Sequence, residues 1–399
     1  MTTEFKVSFT DGAIVEIMGN DDLLYDVKFY NDDTGGLIHE SKIGCGYWTK
    51  TKIKYFIKWR ITIEQDGNPI LTHNYDCRDK YVKIVSGSDA LGDNMAWVVY
   101  FEEFRKKHDC KVVAYSKFNK LFRKYYPDII WLDSEYGITE YDPLYYAFYK
   151  VSLGISIEKL HAGIQKLNKL EKLNDNDPRK IKYIKEYSFY NEERHLEHPA
   201  LIPLQRNASN TLGLQPKEIR PSYKSDIEGR PIEGKYVCFS EFASADGMKI
   251  WNNQKGWKTL IEELQNMGYE VVSISMEKTK YNVTKRNGNY SLDDRIWYLN
   301  HCEFFIGMSS GLSWLAWASG AKTVIISGHT KEWYEPKEDV VRVINKDVCH
   351  GCHNDPEHAD KFCCYHFMFC PSEKNFICTR SISPKMVMDQ IKERGLVPS

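Results

Sequence analysis

From Tyr81 onward, short apolar runs alternate with amphipathic stretches: "YVKIVSG" precedes "NMAWVVYFEEFRKKHD", "KVVAYS" precedes "KFNKLFRKYY", and "IIWLD" follows. Runs of strand length that alternate with runs of helical period bury their apolar faces best as a parallel sheet covered by helices. A second series has the same form: "KYVCFSEF", "GWKTLIEELQNMG", "YEVVSIS", "LDDRIWYLNH", "EFFIGM", "GLSWLAWASG" and "KTVIISG". The charged stretch "IEKLHAGIQKLNKLEKLNDNDPRKIKY" between them reads as a solvated helix and linker. Two β/α units so joined predict a cleft, with ligands near the carboxyl ends of the strands. Residues before Tyr81 instead alternate with period two between turn signals at Thr10-Asp11-Gly12, Asn31-Asp32-Asp33 and Gln65-Asp66-Gly67-Asn68. The expected division is a β-rich domain over 1–80 for packing or assembly, β/α domains over 81–215 and 216–346, a cysteine-rich segment over 347–380 and a terminal helix over 381–399.

Charge excludes some partners. With 54 basic and 55 acidic residues, the bulk electrostatics favour neither nucleic acid nor an anionic membrane. "MTTEFKVSFTDG" lacks a basic region followed by an apolar run, so a cytoplasmic location is expected. The longest uncharged apolar run, 304–321, is broken by "MSSG" and reads as strand, loop and helix rather than a membrane span. No G-x-G-x-x-G follows a strand and no phosphate-binding P-loop occurs; "GCGYWT" at 44–49 lies in the β-rich part and lacks the last glycine. The acidic pair in "DND" at 175–177 precedes Pro178 in a polar linker and reads as a solvated loop, not a metal site.

Three strand-end motifs carry chemistry. "SGSDALGDNMAW" places Asp93 at a helix start, where it either caps the helix or faces the cleft as a general base. "SEFASADGMKIWNN" puts Ser240, Ser244 and Lys249 in one loop. "FFIGMSSGLSWLAW" opens a helix with Ser309, Ser310, Gly311 and Ser313. Free N–H groups at a helix start, with small hydroxyl residues beside them, bind anions without a metal, and Lys249 would complete a diphosphate clamp. The plainer alternative is ordinary serine caps and a surface lysine.

Six of the eleven cysteines, Cys349, Cys352, Cys363, Cys364, Cys370 and Cys378, fall in one C-terminal patch. Cys349-x2-Cys352 has the bite of a metal knuckle, and a reducing compartment favours metal over disulfides. His350, His353, His358 and His366 are further candidate ligands, and tetrahedral sulfur suits iron or zinc almost equally. Four thiolates would leave no open position, so the metal would be structural, not catalytic.

The stretches "LGDNMAWVVYFEEFRKKHDCKVV", "PLQRNASNTLGLQPKEIRP", "KIWNNQKGWKTLIEELQNMGYEVVSIS", "FFIGMSSGLSWLAWASGAKTVIISG" and "VCHGC…CP…FICTRSISP" together resemble the bacterial autotransporter heptosyltransferases, relatives of the enzymes of lipopolysaccharide core assembly. The likeness implies a GT-B type glycosyltransferase fold of two Rossmann-like α/β domains, an ADP-heptose donor and serine hydroxyls of an autotransporter adhesin passenger domain as acceptors. It also implies a large homo-oligomer, a dodecamer by resemblance. Carried over by position, Asp93 matches the general base, Lys249 the donor-phosphate lysine, and Ser309, Ser310, Gly311 and Leu312 the diphosphate-binding helix start. Ser244 and Ser313 flank that donor site, and Glu277 matches an acidic contact to the nucleoside. The position of Ser309 is acidic in the lipopolysaccharide relatives. The frame "CP…FICT" implies Cys349, Cys352, Cys370 and Cys378 as ligands of a structural iron, with zinc the alternative. The competing functions are a lipopolysaccharide core heptosyltransferase and a non-catalytic, metal-stabilised assembly protein.

Overall fold

The computed structural model describes residues 3–133, 144–153, 190–243, 247–285, 290–359 and 370–398, with isolated positions between 165 and 179. In the N-terminal part, period-two alternation turns Val15, Ile17, Val27, Phe29, Ile61 and Ile63 inward. They line two antiparallel sheets. One has the order β1 (Glu4–Ser8), β2 (Ile14–Met18), β5 (Trp48–Lys50); the other has β4 (Leu37–Gly44), β3 (Leu24–Asn31), β6 (Trp59–Gln65), β7 (Asn68–Asn74). The β6–β7 hairpin turns through Asp66 and Gly67, both at positive φ (48° and 78°), as a tight two-residue turn requires.

A parallel four-stranded sheet follows, ordered β10 (Ile130–Trp131), β9 (Lys111–Tyr115), β8 (Tyr81–Ser86), β11 (Ala147–Val151). Phe9 pairs with the β11 edge, its N–H donating to the Tyr146 carbonyl at 2.9 Å, so the β-rich part is stitched directly to this sheet. The fourth sheet is parallel and six-stranded: β14 (Thr284–Lys285), β13 (Glu270–Ser273), β12 (Tyr236–Phe239), β15 (Phe305–Met308), β16 (Thr323–Ile326), β17 (Val340–Val343). Counted along the chain this is the order 3-2-1-4-5-6 of a doubly wound fold. Its direction of winding reverses between β12 and β15. The carboxyl ends of those two strands mark the crevice in which such folds bind ligands, and the loops after β12 and β15 carry Lys249 and the Ser309-Ser310-Gly311 stretch.

The helices are α1 (Leu91–His108), α2 (Asn119–Tyr125), α3 (Leu204–Thr211), α4 (Gly256–Asn266), α5 (Leu292–His301), α6 (Gly311–Ala318) and α7 (Pro384–Glu393), besides single turns. Alternate residues of the six-stranded sheet divide between two cores. Cys238, Val272 and Phe305 join a core that reaches through α6 and α1 to the β-rich part, while Val237, Val271 and Ile306 pack with α4 and α7. No helix among the described residues is long and apolar enough to cross a membrane.

The two β/α units meet where α1 and α6 begin. A Cβ on Gly92 would lie 3.2 Å from Trp314 Cδ1 and 3.4 Å from Gly311 Cα; a Cβ on Gly311 would lie 2.7 Å from Leu91 Cβ. Neither glycine serves an unusual backbone angle. Both are needed so that two helix starts can touch. Gly311→Ala is therefore expected to destabilise by about 1–3 kcal/mol, as overpacking does, and more than Gly92→Ala, whose nearest neighbour would lie at 3.2 Å rather than 2.7 Å. Urea midpoints measure this, and an unchanged midpoint for Gly311→Ala would contradict the packing described.

Candidate active site and cysteine cavity

Asp93 is the third residue of α1, and Ala90, not Asp93, occupies the N-cap, without a side-chain cap bond. The capping role is therefore not realised. Ser88 donates to Asp93 Oδ2 at 2.5 Å. Buried Asn94 braces the same loop, donating to the carbonyls of Ser88 and Ala90 at 2.8 Å each and accepting from Ser116 at 2.7 Å. Burial raises the Asp93 pKa above the ordinary aspartate range, opposed by the Ser88 hydrogen bond and by the Lys249 ammonium. Asp93, in the first turn of α1, and Lys249, in the helical turn after β12, are thus electrostatic neighbours.

Lys249 ends a single helical turn, Gly247–Lys249, beside the crevice. Across from it, α6 starts at Ser310, whose N-cap side chain makes no cap bond and whose Oγ is buried without a hydrogen-bond partner among the described residues. The first N–H groups of α6, at Gly311 and Leu312, have no acceptor within the helix by construction. Amide donors at a helix start, the helix dipole and a lysine on a neighbouring loop are the elements from which anion sites are built. Glu277 lies exposed just beyond β13, the second strand of the winding order; burial lowers the Arg295 pKa, and the nearby carboxylates of Asp294 and Glu277 oppose that. In doubly wound folds an acidic residue there meets a ribose.

Other candidate residues are placed differently. Ser313 is buried with its hydroxyl donating to the Met308 carbonyl at 2.5 Å, so its side chain turns back to β15. Ser309 donates to Glu335, whose buried carboxylate also accepts from Thr330 at 3.0 Å and pairs with Arg342 at 2.5 Å. Ser240 is buried and donates to the Phe242 carbonyl at 3.2 Å. Ser244 lies outside the described residues, as do Cys363, Cys364 and His366.

Two buried histidines, absent from the strand-end motifs, flank Lys249. Burial holds His329 well below its ordinary pKa, and burial, then the positive fields of Lys249 and His198, bring His353 to about 3. Both are neutral imidazoles at physiological pH. Tyr334 packs edge-on against His353, 4.9 Å between ring centres, and lies within the field of Asp93.

Behind these residues, Cys349, Cys352, Cys370 and Cys378 line one cavity of about 260 Å³ with Met248, His350, Asp355 and His358. All four are free thiols. Burial, followed by the neighbouring sulfurs, pushes Cys352 up to about 12 and Cys378 up to about 11. Four soft donors converging on one cavity fit a thiophilic metal such as iron or zinc. Beside them Asp355, Glu357 and His358 gather three ligand atoms within 4.8 Å of one another.

The cavity is joined to the crevice. Cys352 Sγ lies 3.7 Å from Met248 Sδ, next to Lys249. Asn252 donates to Thr379 Oγ1 at 2.7 Å, beside Cys378, and the His353 N–H donates to the His329 carbonyl at 2.9 Å. Gly328 packs so closely on Cys378 that a Cβ there would lie 2.6 Å from that of Cys378. Asn354 reaches the Ala200 carbonyl at 2.6 Å, on the segment that leads into α3. The cysteine cavity therefore braces the loops that border the crevice.

Residues 194–360 match glycosyltransferase family 9 (heptosyltransferase). The autotransporter heptosyltransferase Aah of Escherichia coli is 30% identical over 391 residues, covering 92% of this chain and 88% of Aah. An inactive autotransporter heptosyltransferase, BimC of Burkholderia thailandensis, is 27% identical and covers 98% of this chain and 86% of BimC. Among solved structures, the dodecameric, iron-containing heptosyltransferase TibC of enterotoxigenic E. coli, in complex with ADP-D-β-D-heptose, superposes with a TM-score of 0.78 at 25% identity, covering 98% of this chain and 96% of TibC. Sharing 30% of its residues with Aah across nearly its whole length, and the strand order and crevice of a GT-B glycosyltransferase, the chain belongs to the autotransporter heptosyltransferases of glycosyltransferase family 9.

Proposed function

We propose that the protein transfers heptose from ADP-heptose, with inversion, to serine hydroxyls of an autotransporter adhesin passenger domain. The observation that supports this reading is the Gly92–Gly311 contact, which brings the start of α1, the turn that includes Asp93, against the start of α6. The α6 amides at Gly311 and Leu312, the Ser310 hydroxyl and Lys249 hold the diphosphate, and Glu277 faces the nucleoside. Asp93 takes the proton from the acceptor serine as its oxygen attacks the anomeric carbon. Lys249 and the helix start stabilise the departing ADP, so no catalytic metal is required. The backbone of the Ser309-Ser310-Gly311-Leu312 stretch, rather than the side chains of Ser309 and Ser313, supplies the donor contacts; Ser244 remains a proposed donor residue on its loop.

Cys349, Cys352, Cys370 and Cys378 hold one structural iron, or zinc in its place. When bound, the metal supplies a fixed tetrahedral crosslink and no reaction step. We further place the protein in the cytoplasm as a homo-oligomer of twelve subunits, by likeness to the dodecameric TibC. Exposed Tyr47 and Trp48 on the β-rich part, 68% and 59% accessible, suit such assembly.

The inactive relative makes a non-catalytic assembly protein the second reading. Asp93 with its Ser88 partner and Lys249 beside it favour catalysis. Co-expression with an adhesin passenger, followed by intact mass measurement, should add heptose increments on serine. Asp93→Asn should abolish them while ADP binding survives. Because the base must be ionised and its pKa is raised, wild-type transfer should fall with decreasing pH above the range where ordinary aspartates titrate. Full transfer by Asp93→Asn removes the assigned base, and heptose on lipopolysaccharide core sugars instead of serine supports the alternative acceptor.

Metal analysis of single variants tests the ligand set. Cys349→Ser, Cys352→Ser, Cys370→Ser and Cys378→Ser should each lose metal. Retention by Cys370→Ser with loss in Cys363→Ser would reassign it.

A further inference from the structure

A second group of sulfur and imidazole lies outside the crevice, where the β-rich part runs into the first parallel sheet. Cys77 sits in the turn between β7 and β8; Cys110 sits between α1 and β9. The Asp79 N–H donates to the Asp109 carbonyl at 2.9 Å and the Lys111 N–H to the Lys80 carbonyl at 2.9 Å, so the two turns lie side by side ahead of the Tyr81–Lys111 register. Both thiols are buried, at 2% and 6% exposure, and each is the other's principal polar neighbour. The imidazole of His108, in the last turn of α1, adjoins Cys77, and its Nε2 is buried without a hydrogen-bond partner among the described residues. Neither sulfur touches the proposed donor site or lines the four-cysteine cavity.

We propose that Cys77 and Cys110 form a redox site that closes to a reversible disulfide on reaction with a hydroperoxide, His108 serving as the base. His108 accepts the Cys77 proton. The thiolate attacks a peroxide oxygen; an S–O bond forms, the O–O bond breaks, and the departing hydroxide takes the proton from His108 and leaves as water. The Cys110 sulfur then attacks Cys77; the S–S bond forms, the S–O bond breaks, and a second water leaves with the Cys110 proton. Both thiols are oxidised by two electrons in all, and hydrogen peroxide is reduced to water.

The two thiols titrate as a pair, and the imidazole that can take a proton, that of His108, adjoins Cys77, so Cys77 is the attacking and Cys110 the resolving sulfur. The reagent does not have to penetrate the core, because Asp76, Arg78, Asp79 and Lys80 around Cys77 are exposed and only their turn has to open. The crosslink would enclose β8 and the whole of α1, tying down the trailing end of the helix that carries Asp93 at its start.

The test treats the reduced full-length protein with hydrogen peroxide, unfolds and alkylates it, and maps peptides by mass. The expected result is joint loss of alkylation at Cys77 and Cys110, with their peptides linked and the link removed by dithiothreitol. In Cys110→Ser, Cys77 should stop at a sulfenic acid that a cyclic 1,3-diketone captures. Wild-type protein in which both thiols remain alkylatable after the patch at Cys349 and Cys352 has oxidised would overturn the proposal, as would Cys77 linked to any cysteine other than Cys110. The wild-type readout decides the matter even if the variant does not fold.

Discussion

Two glycines, Gly92 and Gly311, hold the active-site arrangement together by having no side chains. Their contact lets α1 and α6 meet start to start, so two helix dipoles direct their positive ends toward one region of the crevice. Lys249 adds a full positive charge to the same region. In the proposed reaction that potential would offset the repulsion a carboxylate feels beside a diphosphate, and so would allow Asp93 and the donor phosphates to be neighbours. A bulkier residue at either glycine would separate the two groups that the proposed reaction has to bring together.

The cysteine cavity extends this arrangement from behind. Its walls grip the loop after β12 through Met248 and Asn252, the loop after β16 through Gly328 and His353, and the segment before α3 through Asn354. A closed metal crosslink there would act on the placement of Lys249 rather than on the chemistry. The buried Glu335–Arg342 pair fixes the approach to α6 in a similar way, because Ser309 and Thr330 both hydrogen-bond to its carboxylate. A pair so buried contributes order more than net stability.

Much of this could be read in the sequence because it is local. Period two and period 3.6 marked the β-rich part, the two β/α units and their helices, and Asp93, Lys249 and "SSGL" stand at strand ends where doubly wound folds place their ligands. The missing parts are non-local. Nothing near Ser88 or Asn94 announces their hold on Asp93, and the pairing of α1 with α6 depends on two glycines 219 positions apart. Arg342 did leave a signal: a charged residue inside the apolar strand "VVRVI" calls for a buried partner, which Glu335 supplies. Ser313 misled because spacing along a helix does not show that a hydroxyl turns back to the preceding strand, as this one does to Met308. The cysteine spacing singled out the four residues that line one cavity, while the cavity's role as a brace emerged only from the contacts of Met248 and Asn252.

The central claim is that one crevice, closed by the α1–α6 contact, holds both the donor diphosphate and the base. Electron density for ADP in a co-crystal tests it most directly. The account predicts phosphate oxygens within hydrogen-bond distance of the Gly311 and Leu312 amides and of Lys249 Nζ, with the sugar-bearing end of the diphosphate turned toward Asp93. ADP bound away from the start of α6, or with its terminal phosphate facing away from Asp93, would contradict it.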